Sequence, residues 1–225
     1  MKIVAFSDLH GQQNKKLTKW FSDNKGDLLI FAGDLQANMR DDYGYDFMEW
    51  FHKLPFPTKL LVFGNHDGYY SNAMFYVRDR GYEDIIFLQD EGINIGGIKI
   101  YGSPYTVEFL NWWFMKKDEE LAELWKKIPD DTEILITHGP PYGILDDNED
   151  GLFLGSKTLL ERVLQLKNLK YHIFGHIHEG FGIKIIDNKT FINVSLLNER
   201  YQLTNNPVVI NYEGGSIEHD YNVGE

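Results

Sequence analysis

The stretch that decides the fold is Lys2-Ile3-Val4-Ala5-Phe6-Ser7-Asp8-Leu9-His10-Gly11. Residues 2–7 read as a buried strand, and the run stops abruptly at Asp8-Leu9-His10-Gly11. Leu17, Trp20 and Phe21 then fall at helical spacing. The same unit returns twice. Residues 27–32 (DLLIFA) precede a helix containing Phe47, Trp50, Phe51 and Leu54, and residues 59–63 (KLLVF) precede a shorter helix around 71–80. Strand–helix alternation of this kind predicts a parallel sheet with crossover helices.

The pattern then changes. Residues 93–95 and 98–101 flank Gly96-Gly97, a hairpin signal. Residues 118–127 read as a helix with acids early and lysines late, matching the helix dipole. A strand at 133–137, a helix at 156–167 and a strand at 171–175 follow. From 181 onward the chain reads as antiparallel strands with a turn at Asp187-Asn188. Two mixed sheets covered by helices fit this order.

The chain has 225 residues, 43% hydrophobic and 15% aromatic, and no linker or repeat divides it, so we read one domain over 1–225. It has no cysteine, which removes thiolate metal sites, disulfides and cysteine nucleophiles together. No secretory signal or run of about 20 apolar residues appears, so the expectation is a cytoplasmic protein with no membrane partner. Nothing in the sequence sets its oligomeric state. The net charge of −12 opposes general nucleic-acid binding. A small phosphorylated substrate fits only if bound cations reverse the local sign.

The chemistry sits where strands end. Asp8-Leu9-His10-Gly11 follows the first strand, Gly33-Asp34 the second and Gly64-Asn65-His66-Asp67 the third. His138-Gly139-Pro140-Pro141 follows the strand at 133–137, and Gly175-His176-Ile177-His178 the one at 171–175. Each cluster alone passes for an ordinary turn. Five together, all carrying oxygen and imidazole donors at carboxyl strand ends, point to one rim and one site.

Imidazole, carboxylate and amide donors without sulfur suit manganese first, with iron, zinc, cobalt or nickel also accommodated. Asp8, His10, Asp34, Asn65, His138, His176 and His178 are too many ligands for one small ion and natural for two. Asp34 is the best candidate for a bridging carboxylate. Two divalent ions against two carboxylates leave a positive site inside an acidic protein.

The set DLH (8–10), GD (33–34), GNHD (64–67), THGPP (137–141) and GHIH (175–178) resembles the calcineurin-like metallophosphoesterase superfamily. GSPY (102–105), NWWF (111–114), IPDDTEILITHGPPYGILD (128–146), FGHIHEGFG (174–182) and INVSLLNERYQLTNNPVV (192–209) are similar to its metallophosphoesterase-domain branch, which includes brain cyclic-nucleotide phosphodiesterase-like proteins. The resemblance implies an α/β fold, a four-layer αββα sandwich of two mixed β-sheets flanked by helices. It implies one ion on Asp8, His10, Asp34 and His178, and another on Asp34, Asn65, His138 and His176. It further implies in-line attack on phosphorus by a metal-bridging hydroxide, with His66 as general acid and Asn65 and His66 meeting the phosphate. The expected activity is a phosphodiesterase acting on a small molecule such as a cyclic nucleotide. The alternatives are a phosphomonoesterase or pyrophosphatase, or a non-catalytic metal-binding scaffold.

Protein phosphatases of the superfamily carry Asp-x-x-Asp-Arg after Gly-Asp. Here the stretch is Asp34-Leu35-Gln36-Ala37-Asn38, which lacks both the carboxylate that orients the catalytic histidine and the phosphate-binding arginine. Both histidines of the last motif are kept, unlike in some animal relatives. His52 and His219 are expected in solvent, His172 in packing or at the surface, and Trp112, Trp113 and Phe114 in the core rather than along the cleft. Asn193 and Ser195 resemble family positions without an assigned role.

Overall fold

A computed structural model describes residues 1–36, 44–68, 70–212 and 216–218. In chain order the elements are β1 (Lys2–Phe6), α1 (Lys15–Asp23), β2 (Leu28–Ala32), α2 (Tyr45–Lys53), β3 (Thr58–Val62), α3 (Tyr70–Arg80), β4 (Ile85–Phe87), β5 (Glu91–Ile95), β6 (Ile98–Ser103), β7 (Thr106–Val107) and β8 (Met115–Lys116). They continue with α4 (Asp118–Trp125), β9 (Ile134–Thr137), α5 (Lys157–Gln165), β10 (Tyr171–Phe174), β11 (Gly182–Ile186), β12 (Lys189–Asn193), β13 (Val208–Asn211) and β14 (Ser216–Glu218).

One sheet runs β14-β13-β1-β2-β3-β4 and the other β11-β12-β10-β9-β6-β5. The predicted alternation folds as expected in β1, β2 and β3, parallel neighbours in chain order, and β4, not expected from the sequence, extends them in parallel. All five residues of LLIFA in β2 are buried, as a strand covered on both faces must be. Alternation divides them. Ile3, Ala5, Leu28, Ile30, Leu60 and Val62 face the second sheet, meeting Ile100, Ile134, Ile136, Ile173 and Ile192. Val4, Phe6, Leu29, Phe31 and Leu61 face outward against Phe21, Phe47, Phe51 and Val77 of the helices. On the far side, Tyr101, Leu135, Phe174 and Phe191 meet Leu121, Trp125, Leu159 and Val163 of α4 and α5. Three apolar interfaces thus separate four layers, helices–sheet–sheet–helices.

Both predicted turns are tight. Gly96 and Gly97 have φ of 59° and 90°, and Asp187 and Asn188 have 47° and 64°, the left-handed pair that a two-residue hairpin needs. The C-terminal region departs from the all-antiparallel expectation. β12 is antiparallel to β11 but parallel to β10, and β13 crosses to the first sheet, antiparallel to β1. There it pairs Ile210 with Ile3 and Val209 with Val4, extending the sheet past its first strand.

Candidate metal centre

The carboxyl ends of β1, β2, β3, β9 and β10 open onto one rim, and backbone bonds lock their loops together. Asp8 N–H donates to Gly33 O (2.9 Å), His10 N–H to Asp34 O (3.1 Å) and Gly175 N–H to His138 O (2.9 Å). The two sheets meet where Ser7 bridges Ser195.

The expected residues all come together here. Asp34 is central: its Oδ2 lies 3.7 Å from His10 Nε2 and 3.9 Å from His66 Nε2, while its Oδ1 lies 3.4 Å from His138 Nε2. Asp8 Oδ1 is 3.5 Å from His178 Nε2. Asn65 Oδ1 stands 2.9 Å from His138 Nε2, and the His176 ring centre is 5.0 Å from that of His138. Donor atoms of Asp8, His10 and His178 lie within 4.8 Å of one another, as do those of Asp34, His138 and His176, and those of His10, Asp34 and His66. Each group has the spread that can surround one small cation.

The orientation of the imidazoles favours a cation too. His10, His138 and His178 place Nδ1 against the carbonyls of Gln36 (3.0 Å), Ala32 (2.9 Å) and Asn198 (3.0 Å). With Nδ1–H donating to a carbonyl, each Nε2 keeps its lone pair inward, the usual arrangement behind metal-binding histidines. His10 Nε2 is buried without a hydrogen-bond partner among the described residues. Such lone pairs beside carboxylate oxygens repel unless positive charge lies between them.

Protons supply that charge when metal does not. Burial opposes ionisation of Asp8, but the His178 hydrogen bond and charge hold its carboxyl well below the usual range. Asp34 is likewise held low against its burial, chiefly by His138 and then His10 and His66. Burial works against protonation of His138 and His178, yet Asp34 and Asp8 push them up to about 9. His10 is lowered by burial, and His176 is pushed down to about 3 by burial and by His138.

The backbone is strained at these positions. Asp8, His10, Asp34 and His176 have φ of 51°, 46°, 61° and 70°, a region that costs non-glycine residues free energy and clusters at functional sites. Two motif glycines are required by contact. A Cβ on Gly64 would collide with Asp34 and His138, and one on Gly175 with Asp8 and Ser7.

Several supporting residues have no assignment from sequence. The hydroxyls of Ser7 and Ser195 both donate to Asp8 Oδ2, the latter at 2.7 Å. Asn193 receives Ser195 N–H at 3.1 Å and donates to Ile177 O at 2.7 Å, tying β12 to the last histidine motif. Asp67, inside GNHD, is 2% exposed and turns away from the centre to hold the β2 loop. Burial and the Asp34 charge raise its carboxyl, while the backbone donors of Gly64 and Gln36 oppose the rise. Tyr201 sets its ring edge-on to both His10 and His178, with centres 5.0 and 5.1 Å away.

Two expectations are corrected. His52 is half-buried, stacked on Tyr82 with ring centres 3.8 Å apart and bonded to Asp84 at 2.7 Å; the helix faces a neighbouring loop there. Trp112 stacks on His66 and Trp113 is 43% exposed, so they line the rim, and Phe114 is half-buried. Only the tryptophans are displaced: Phe114 packs on the first apolar interface, stacked on Phe63 with ring centres 6.3 Å apart. His172 is fully buried in packing against Phe174 and Phe191. Ala37, Asn38 and His219 lie outside the described residues.

A family model described as calcineurin-like phosphoesterase matches residues 1–180. The chain belongs to the calcineurin-like phosphoesterase family. It is 33% identical to human metallophosphoesterase domain-containing protein 1, over 93% of this chain and 70% of that protein. It is 35% identical to a UPF0046 protein of Caenorhabditis elegans, over 93% and 74%. In fold it is similar to a solved structure described as a novel archaeal phosphodiesterase (TM-score 0.59, 17% identity, 98% and 99% covered). As a calcineurin-like phosphoesterase the chain is a metal-dependent phosphoester hydrolase, and its His/Asp groups are candidates for the divalent ions. Among the described residues no helix is long and apolar enough to cross a membrane.

Proposed function

We propose that this calcineurin-like phosphoesterase is a phosphodiesterase for a small molecule, with cyclic nucleotides the first candidates. It is a single domain over 1–225 that works in the cytoplasm with two divalent ions, manganese foremost. The observation that carries the reading is the division of Asp34, whose Oδ1 faces His138 and whose Oδ2 faces His10. One ion would be held by Asp8, His10, Asp34 and His178, and the other by Asp34, Asn65, His138 and His176. When bound, such a pair acidifies water and neutralises charge on phosphoryl oxygens.

The chain's own groups do the rest. Asp8 and Asp34 stay ionised because histidines surround them. Asn65 and His66 meet the phosphate, and His66 gives a proton to the leaving oxygen. His66 stands beside the donor groups with its side chain 14% exposed, so a substrate can reach it. A diester carries one negative charge where a monoester carries about 1.5 to 2. With Asn38 where the protein-phosphatase motif carries its arginine, the smaller charge suits the site better.

The test is metal-stripped protein reloaded with manganese and assayed on bis-p-nitrophenyl phosphate, p-nitrophenyl phosphate and cyclic nucleotides. Higher kcat/KM on the diesters is expected. A preference for the monoester overturns the assignment.

A further inference from the structure

We infer that Trp112 is the positioning residue of His66, fixing by stacking an imidazole that has no side-chain hydrogen bond among the described residues. The inference rests on the reading of His66 as the proton donor given above.

His66 lacks the anchor that its neighbours have. His10, His138 and His178 each bond Nδ1 to a backbone carbonyl, but His66 Nδ1 is buried without a partner among the described residues. Its backbone is held, with N–H donating to Asp34 Oδ1 at 2.9 Å. Among the described residues its ring is flanked by two other rings, with Asp34 Oδ2 3.9 Å from Nε2, beyond hydrogen-bond distance. The Trp112 indole stacks on it with centres 4.4 Å apart and planes at 30°, and His10 meets it at 4.7 Å and 86°. A ring between two aromatic neighbours can slide out only by unstacking.

Trp112 is itself held for this purpose. Trp113 N–H donates to Asn65 O at 3.2 Å, tying the tryptophans to the turn that carries His66. A Cβ at Gly68 would overlap the Trp113 indole, so glycine lets that ring lie against the same turn. The loop's ends are pinned by Thr106 N–H to Phe114 O (3.0 Å) and Glu108 N–H to Lys116 O (2.8 Å). Leu110 and Phe114 take φ of 61° and 50°, a strained path. Burial does not explain the path at Leu110, since Phe109 and Leu110 are 67% and 68% exposed.

The experiment compares Trp112→Leu and Trp112→Phe in otherwise wild-type and His66→Ala protein, manganese-loaded, on aryl phosphodiesters with good and poor leaving phenols. Trp112→Leu is expected to lower kcat about tenfold with KM nearly unchanged, more so for the poorer leaving group. Trp112→Phe keeps most of the rate, and Trp112→Leu costs nothing further once His66 is alanine. In the metal-free protein, the His66 ring-proton NMR signals lose their indole-induced upfield shift in Trp112→Leu. The inference is overturned by an equal loss in both backgrounds, by a rise in KM alone, or by unshifted ring signals. A His66→Ala protein as fast as wild type overturns the proton-donor reading instead.

Discussion

The Asp67 carboxyl group grips the main chain at Asp34. It accepts Asp34 N–H at 3.0 Å, Leu35 N–H at 3.0 Å and Gly64 N–H at 2.7 Å, all buried. One side chain therefore fixes the strained loop that carries Asp34, the carboxylate proposed to be shared. Asp67→Asn presents an amide N–H to donors that need acceptors. We expect a loss of about 1–3 kcal/mol in stability and roughly 10–100-fold in manganese affinity, read by denaturant titration and calorimetry. Unchanged affinity would falsify the positioning role.

Gly64→Ala is the smallest change expected to disable the centre. The added methyl meets Asp34 and His138, neither of which can withdraw without leaving the site. Metal binding should fall at least tenfold while far-ultraviolet circular dichroism stays native. Wild-type metal affinity in this variant counts against the shared role of those two residues.

His172 predicts a pH-dependent stability. Burial alone pushes its pKa down to about 3. The unfolded chain binds this proton near pH 6.5 and the folded chain does not, so stability is complete above 6.5. It is lost progressively as pH falls toward 3, by up to about 1.4 kcal/mol per pH unit. Nε2–H donates to Thr137 Oγ1 at 2.8 Å, a bond that glutamine can imitate. Denaturant titrations of metal-free wild type and His172→Gln at pH 7.5 and 5.5 should show the smaller drop in the variant. Equal drops would assign the slope to other groups.

Lys59 and Asp84 give an asymmetric pair. Lys59 is 1% exposed and bonded to Asp84 and to Phe56 O (2.8 Å), while Asp84 also holds His52. Asp84→Ala strands a buried ammonium and should cost about 3–5 kcal/mol. Lys59→Met leaves Asp84 its histidine and should cost clearly less. Thermal denaturation of both variants checks the order.

Metal removal should loosen the whole rim. Ions that bind only the folded state stabilise it by about 2.7 kcal/mol at one hundred times Kd. Chelation is expected to lower Tm by several degrees, and manganese to restore it with a concentration dependence that Asp34→Asn abolishes. A chelator-insensitive Tm in wild type points to weak metal binding.

Much of the fold was legible because local physics dictates it. The run Leu28–Ala32 is apolar at every position, which only a strand covered on both faces tolerates, and Gly96-Gly97 and Asp187-Asn188 accept the left-handed backbone of a tight turn. The crossing of Val208–Asn211 to β1 was not legible. An apolar run states that it needs a partner, never which one.

The same division holds at the centre. Sequence alone determined that seven oxygen and imidazole donors follow strands, because strand ends and glycines are local features. Tertiary structure decided what aims them. The carbonyls of Gln36, Ala32 and Asn198 that turn His10, His138 and His178 inward are backbone atoms every residue possesses. The Trp112 face on His66 and the Ser195 hydroxyl on Asp8 join residues from separate sheets and loops. Contacts of that kind exist only after the chain has closed on itself.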